Sequence, residues 1–266
     1  MPAIPLVPDA YLAEADACGL LHRHAGLPYV AGCGTDPATG ELQYYVEYCD
    51  PALLAAGAAL EWLTARVRAE HPGTDLIVVR ARDGAELPAP WQRHQTYVRR
   101  TGPPPAVSDG VVTVVPAGPE HHDVLLGWIF EALVRAAGER GRPADPAVVR
   151  RVAGDVLDTP GRLSYVALYD GRPVGHLTLR RHQRDEVTGE EYVELYDVLV
   201  EPAELRKAAS AALLATAIGR SDPREPLLGQ VHHPDESLAP GHGERILRGL
   251  LTSGWAVDHT FWRLTP

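Results

Sequence analysis

The stretch RRTGPPPAVSDG, residues 99–110, sets the first limit on how this chain can fold. Each proline fixes its own φ and removes a backbone donor, so neither a helix interior nor a central strand runs through three in succession. The run reads as an extended, semi-rigid connector. It divides the 266 residues into about 100 and about 160, both ordinary domain sizes. The expected organisation is a first domain over 1–102, a linker over 103–110 and a second domain over 111–266.

Beyond the connector the sequence is a regular series. VVTVVPA (111–117) is β-rich, and PEHHDVLLGWIFEALVRAAGE (119–139) carries apolar residues at helical spacing. DPAVVRRVAGDVLD (145–158) opens with Asp145 as an N-cap and Pro146 at the first helical position. RLSYVALYDG (162–171) and RPVGHLTLRRHQ (172–183) are strands joined at Asp170-Gly171, which suits a two-residue hairpin turn. EYVELYDVLV (191–200) is a third strand, closed by Pro202, and ELRKAASAALLATAIGR (204–220) is a helix expected to end at Gly219. PLLGQVHH (226–233) is a strand, GERILRGLLTSG (243–254) a helix stopped by Gly254, and WAVDHTFWRL (255–264) a final strand. The order is β-α-α-β-β-β-α-β-α-β, an α/β (α+β) chain.

The first hundred residues read as a shortened version of that series. LPYVAG and ELQYYVEYC are strand-like, PALLAAGAALEWLTARVRAE (51–70) is a helix, and DLIVVRA (75–81) and HQTYVRRT (94–101) are strands. The order β-β-α-β-(short helix)-β matches the later part of the second domain.

Composition narrows the function. With 45% hydrophobic and 23% charged residues the chain is an ordinary globular one, and no apolar run approaches the roughly 18 residues of a membrane span. The start, MPAIPLVPDAYLAEADACG, has neither a basic n-region nor a continuous apolar core, so a cytoplasmic protein is expected. Cys18, Cys33 and Cys49 are odd in number, with no CxxC, and read as free thiols. His22, His24, His176, His182 and His242 are scattered, with no H-x-E or HExxH spacing, so no metal site is expected. His121 and His122 read as surface residues of a helix. A net charge of −10 disfavours nucleic acid or an anionic membrane as partner and suits a small cationic substrate.

The strand that ends Val200-Glu201-Pro202, the helix that follows with its apolar pair Leu213-Leu214, and the element order around them resemble the GCN5-related N-acetyltransferase (GNAT) family over residues 110 to 266. The resemblance implies a mixed sheet flanked by helices, preceded here by a smaller, degenerate copy of the same fold. It also implies a turn after the V-x-P strand whose backbone N–H groups bind the pyrophosphate of acetyl-CoA or another acyl-CoA, as helix N-termini can. The residues that fall on that turn are Leu199, Val200, Arg206, Lys207, Ala208, Ala209, Ser210 and Ala211. The family's Arg-Gly-x-Gly-x-Gly is absent: alanine and serine stand where glycine relieves φ or lets a phosphate reach the backbone. Lys207 is the only lysine of the chain. A second departure is Leu250, which occupies the place of the tyrosine that protonates the departing thiolate, four residues before Gly254-Trp255.

Aminolysis of a thioester needs a free amine, a proton acceptor and a donor for the oxyanion. The strand before the turn offers Glu191, Glu194, Tyr196 and Asp197. Strict alternation places Glu194, Tyr196, Val198 and Val200 on one face and Asp197 and Leu199 on the other, unless a bulge intervenes. The base stays open between Glu194 and Asp197. His233, at the end of the next strand, has a side chain suited to proton transfer near neutral pH. The acidic run RDEVTGEEYVELYD (184–197) holds six carboxylates that either border a substrate entrance or form a solvated hairpin.

The resulting expectation is an N-acyltransferase that moves an acetyl or other acyl group from CoA to a small amine by direct attack. All three cysteines lie in the first domain, leaving no covalent nucleophile near the turn. Two alternatives follow from the missing glycines and tyrosine. One is a catalytically silent tandem binding protein. The other keeps the fold with altered donor chemistry, transfer of a bulkier acyl group or decarboxylation of a malonyl thioester, with His176 or His233 as acid.

Overall fold

The computed structural model of the protein describes all residues except 1–6, 37–38, 83, 108–109, 111, 140, 142–143 and 223. Part of the expected linker (108–109) and the first residue of the expected strand at 111 therefore lie outside the described residues.

The first part of the chain runs α1 (Asp9–Ala17), β1 (Leu21–His24), β2 (Leu27–Thr35), β3 (Leu42–Cys49), α2 (Pro51–Ala55), α3 (Gly57–Glu70), β4 (Leu76–Arg82) and β5 (Gln92–Arg100). After the connector come β6 (Thr113–Pro116), a one-turn 3-10 helix (Pro119–His121), α4 (His122–Glu139), α5 (Pro146–Asp158), β7 (Arg162–Tyr169) and β8 (Arg172–Arg184). The chain closes with β9 (Glu191–Val200), α6 (Arg206–Arg220), β10 (Leu227–His232), α7 (His242–Thr252) and β11 (Trp255–Leu264).

Local chemistry accounts for most of these boundaries. Asp145 accepts the Ala147 N–H with Pro146 beside it, so α5 starts where its cap dictates. Asp170 (φ 48°) and Gly171 (φ 74°) both adopt left-handed backbone, the geometry that closes a tight hairpin between β7 and β8. The expected single helix over 51–70 is broken at Ala56, whose extended backbone (φ −97°, ψ 102°) separates α2 from α3. Gly219 does not end its helix: α6 continues through it to Arg220. The elements α1 and β1 were not foreseen, and the described residues between β4 and β5 form turns rather than a short helix.

Among the described residues eleven strands form one sheet in the order β1-β2-β3-β4-β11-β5-β10-β9-β8-β7-β6. Two of its pairs are parallel, β3 with β4 and β9 with β10, and the others antiparallel. Counted outward from the central pair β11 and β5, the sequences β4-β3-β2-β1 and β10-β9-β8-β7 correspond one to one, so the halves are related by a pseudo-two-fold axis. Each half places its last strand in the other: β11 lies between β4 and β5, and β5 lies between β10 and β11.

The two faces of this sheet are covered differently. On one face α3 packs Leu60, Leu63 and Val67 against Val46, Ile77 and Val79, and α6 packs Ala209, Leu213 and Ala217 against Leu177, Leu179 and Val193. On the other face α4 and α5 cover only the β6–β8 end, through Trp128, Ile129, Val156 and Val166. The middle of that second face is crossed by the β8–β9 hairpin, and there the candidate site lies.

Candidate active site

The site is organised by an irregularity in β9. Thr178 pairs with Asp197 while Leu179 pairs with Leu195, so Tyr196 is an extra residue that bulges from the ladder. Arg180, Thr178 and His176 alternate along β8 and share a face. Their partners Glu194, Asp197 and Leu199 are therefore brought to that same face. This corrects the strict alternation of the sequence reading, which separated Glu194 from Asp197: one inserted residue reverses the side-chain phase of everything after it. Val198 and Val200 turn to the opposite face, where Val200 joins the core under α6.

At the same point the sheet parts. The β9–β10 ladder runs only from Val193↔Leu227 to Leu195↔Gly229. Beyond it β9 follows β8 to Val200↔Gly175, and β10 follows β5 to His232↔Gln95. Glu194 stands on the last closed rungs and Asp197 just inside the opening.

Glu194 is buried, 5% exposed. Gln230 Nε2 donates to its Oε1 at 3.1 Å, and Gln95 Nε2 donates in turn to Gln230 Oε1. Arg180 Nη1 stands 3.2 Å from Glu194 Oε2, near enough to pair the charges but not aligned as a hydrogen bond. Burial pushes the Glu194 carboxyl above its ordinary value, and Arg180 offsets only part of this. Asp197 is more open; its Oδ2 lies 3.2 Å from Nε2 of the fully buried His176, again without hydrogen-bond alignment. The His176 ring stacks on Trp128 at 5.4 Å between centroids, and its Nδ1 meets Thr178 Oγ1 at 3.2 Å. Glu194 Oε2, Asp197 Oδ2, His176 Nε2 and Arg180 Nε are thus four buried polar atoms on one face without an aligned partner in the protein. Such atoms are costly to bury, and the two ion pairs, Arg180 with Glu194 and His176 with Asp197, offset only part of that cost.

His233 is not brought to this cluster. It stands two residues after Val231, on the side that faces away from Gln230, and its Nε2 meets Thr96 Oγ1 at 2.9 Å on the opposite side of the sheet. Burial lowers its pKa to about 4, with Glu244 opposing and Arg93 and Arg263 assisting. It is a neutral, packed residue, with Nδ1 only 2.6 Å from where a Cβ on Gly243 would stand.

The turn into α6 needs no glycine for its backbone, since no residue from 200 to 211 has a positive φ. Leu205 N–H closes on Pro202 O at 3.1 Å, and the helical ladder begins with Ala209 N–H to Leu205 O at 2.8 Å. The N–H groups of Lys207 and Ala208 precede that ladder and lie at the positive end of the helix. Arg206 and Lys207 are exposed, and Ala208, Ser210 and Ala211 are half-buried. Ala209 differs from its neighbours: its side chain is fully buried in the core and its N–H is committed to Leu205. Leu199 packs with the Trp128 cluster and Val200 with the α6 core. Glu201 and Glu204 are exposed beside the turn and oppose an anion there. Leu250 packs against the α6 core.

The acidic run is neither an open entrance nor a solvated hairpin. Asp185 pairs with Arg80, both largely buried, and Glu190 with Arg99, which also binds Asp258. With Glu194 on Arg180 and Asp197 at His176, four of the six carboxylates point inward; Glu186 and Glu191 remain exposed. Arg80 and Arg99 come from β4 and β5, sequence positions that give no hint of this pairing.

The family model described as "Acetyltransferase (GNAT) family" matches residues 129–224. The C-terminal half carries a GNAT domain. The matched span includes β7 to α6, and so Glu194, the Tyr196 bulge, Asp197 and the turn; His233 and Leu250 fall outside it. No curated protein matches the sequence. Among solved structures, a functionally unknown conserved protein from Staphylococcus epidermidis ATCC 12228 is similar over 91% of both chains at 9% identity, with a TM-score of 0.53. That likeness concerns the fold, and it extends to the half outside the GNAT match. A tandem GNAT protein from the clavulanic acid biosynthesis pathway is similar at 13% identity over 97% of this chain and 88% of that one, with a TM-score of 0.46. A putative GNAT-family acetyltransferase from Novosphingobium aromaticivorans DSM 12444 is similar at 16% identity over 96% of both, with a TM-score of 0.38. Among the described residues of this GNAT-containing chain no group of three or more His, Cys, Asp or Glu side chains could hold a metal ion, and no helix is long and apolar enough to cross a membrane.

Proposed function

We propose that the protein is an acyl-CoA-dependent N-acyltransferase, transferring an acetyl or other acyl group to a small amine by direct attack. The observation that carries this reading is the coincidence, within a few residues of β9, of the bulge, the parting of β9 from β10, and the cluster of buried polar atoms without an aligned hydrogen bond around Glu194 and Asp197. In this reading residues 111–266 are the acyl-CoA-binding domain, 103–110 the linker, and 1–102 a degenerate copy that walls the acceptor side.

The pantetheine arm would enter where β9 and β10 separate, leaving the pyrophosphate at the Lys207 and Ala208 N–H groups with the Arg206 and Lys207 charges beside it. Ser210 and Ala211 would flank the nucleotide. The amine nitrogen attacks the thioester carbonyl carbon, the new C–N bond forms, and the C–S bond breaks to release CoA thiolate. Glu194 takes the amine proton through one intervening water, a role for which its raised pKa suits it. Asp197 and His176 hold the backbone at the bulge and are positioning residues. His233 is neutral and on the far face, and the proposal assigns it no chemistry. With Leu250 in place of an acid, the thiolate leaves unprotonated or takes its proton from water. A cationic amine fits the net charge of −10 and the exposed Glu186 and Glu191. A soluble, cytoplasmic enzyme without nucleic-acid or membrane partners fits the same charge.

Thermal unfolding with and without acetyl-CoA tests the reading. Ligand at about 100-fold its Kd adds about 2.7 kcal/mol, which at roughly 2–4 °C per kcal/mol is a rise of about 5–10 °C. Binding followed by transfer to an amine supports the proposal. Binding without transfer to any amine points to altered donor chemistry, and no binding of acetyl-, malonyl- or longer acyl-CoA points to a silent binding protein.

A further inference from the structure

The pseudo-two-fold places a second parting of parallel strands in the N-terminal half. β3 and β4 pair from Gln43↔Leu76 to Val46↔Val79 and then diverge. β3 continues along β2 to Cys49↔Tyr29, and β4 along β11 to Arg82↔His259. A cavity of about 600 Å³ opens beyond this divergence, within the range of small-molecule sites. Its wall is largely apolar, with Cys49, Leu54 and Leu87 from the N-terminal half and Val187 from the β8–β9 hairpin.

The polar groups of the wall decide what fits. A pyrophosphate does not, because α2 has only five residues, begins with Pro51, which lacks an N–H, and is capped by the Asp50 carboxylate accepting from Ala52 at 2.9 Å. Arg80 is already held by both Asp185 oxygens and stands 3.3 Å from His259 Nδ1. Glu86 is paired with Arg93, and Arg82 is the other cation of the wall besides Arg80. Glu47 is the carboxylate that faces inward, and the hydrogen bond it accepts from Tyr11 Oη is long at 3.3 Å. Burial holds the Glu47 carboxyl above its ordinary value against the pull of Arg80 and Tyr11, a condition that an incoming ammonium would relieve.

We propose that this cavity is a second small-molecule site, distinct from the acyl-CoA cleft, which takes an amine with an apolar body, its ammonium on Glu47 and its body against Leu54, Leu87 and Val187.

Cys49 provides a readout inside the cavity. The other thiols, Cys18 and Cys33, are exposed, so a C18S/C33S full-length variant leaves Cys49 alone; burial pushes its thiol up to about 12, and its alkylation by N-ethylmaleimide, followed by mass spectrometry, is slow. The probe is 2-phenylethylamine at up to millimolar concentration, with 2-phenylethanol and acetyl-CoA alongside, and calorimetric titration as a second measurement on the same protein. The expected result is slower Cys49 alkylation and measurable heat with the amine, loss of both in Leu54→Trp, and about tenfold weaker amine binding in Glu47→Gln with the alcohol unaffected. Equal protection by acetyl-CoA, amine protection that survives Leu54→Trp, or no protection and no heat with the amine in the parent protein would each overturn the proposal. Should Leu54→Trp fail to fold, the Glu47→Gln comparison of amine with alcohol decides alone.

Discussion

Asp197 and His176 meet diagonally across β9 and β8, with Oδ2 and Nε2 3.2 Å apart one residue beyond the Tyr196 bulge. His176 is fully buried and stacks on Trp128, which fits the positioning role proposed for it. Asp197→Asn removes the charge while keeping the shape, and should lower kcat by about tenfold through displacement of the bulge. The acid limb of the pH–rate profile should stay in place if, as proposed, the titrating base is Glu194. A limb that disappears in Asp197→Asn and persists in Glu194→Gln would exchange the two roles.

Glu194→Gln should lower kcat by roughly 10²–10⁴-fold, the usual contribution of a general base, and abolish the acid limb, which should lie above the ordinary value of 4.5. Stability should move the other way. A carboxyl whose folded pKa is raised binds its proton more tightly in the folded state, so its favourable contribution is complete below the unfolded pKa of 4.5 and is lost as pH rises through the folded value. The Tm difference between variant and parent should therefore shift in favour of Glu194→Gln between about pH 4 and about pH 7. A difference that is flat across that interval would mean that Glu194 is not the buried carboxylate of raised pKa described above.

How much of this could be read from the chain depended on the range of the interactions involved. Asp145-Pro146, Asp170-Gly171 and Gly254 act on their immediate neighbours, and the elements they bound lie where the sequence puts them. Glu194 and Asp197 were identifiable as candidates because both sit on the strand before the turn. Their common face was not, because a bulge at Tyr196 is visible only once β8 fixes the register. His233 looked available at a strand end, yet Thr96 of β5 and Gly243 of α7 enclose it. The central pairing of β5 with β11 is a contact between segments more than 150 residues apart in sequence, and no local propensity encodes it.

Charge at the mouth of α6 should control acyl-CoA affinity. Lys207 and Arg206 are exposed at the helix start, and Glu204 is exposed one residue before the N-cap Leu205. Lys207→Ala should weaken acetyl-CoA binding and Glu204→Gln should strengthen it, each by about two- to fivefold at low salt. Both effects should shrink together as ionic strength rises. Titration at two salt concentrations checks this, and an unchanged Kd in both variants would place the phosphates away from this turn.

The exchange of β5 and β11 predicts that neither half is independent. Thr101 and Gly102 N–H both donate to Gly254 O at 2.9 Å, and a Cβ on Gly102 would stand 2.9 Å from the Gly254 Cα. Gly254 is itself left-handed at φ 86°, so neither backbone can give way without strain. Gly102→Ala should cost about 1–3 kcal/mol, a Tm lowered by several degrees. A fragment spanning 111–266 keeps β10 and β11 but lacks the strand between them, including Val98, which is fully buried in the core under α6. The exposed ladder edges and apolar surface should leave it unfolded or aggregated, and co-production with residues 1–110 should restore a soluble complex. A fragment that is monomeric and unfolds at the temperature of the full chain would show that β5 contributes no stability to the GNAT half, and that the pairing of the two halves is not what holds it together.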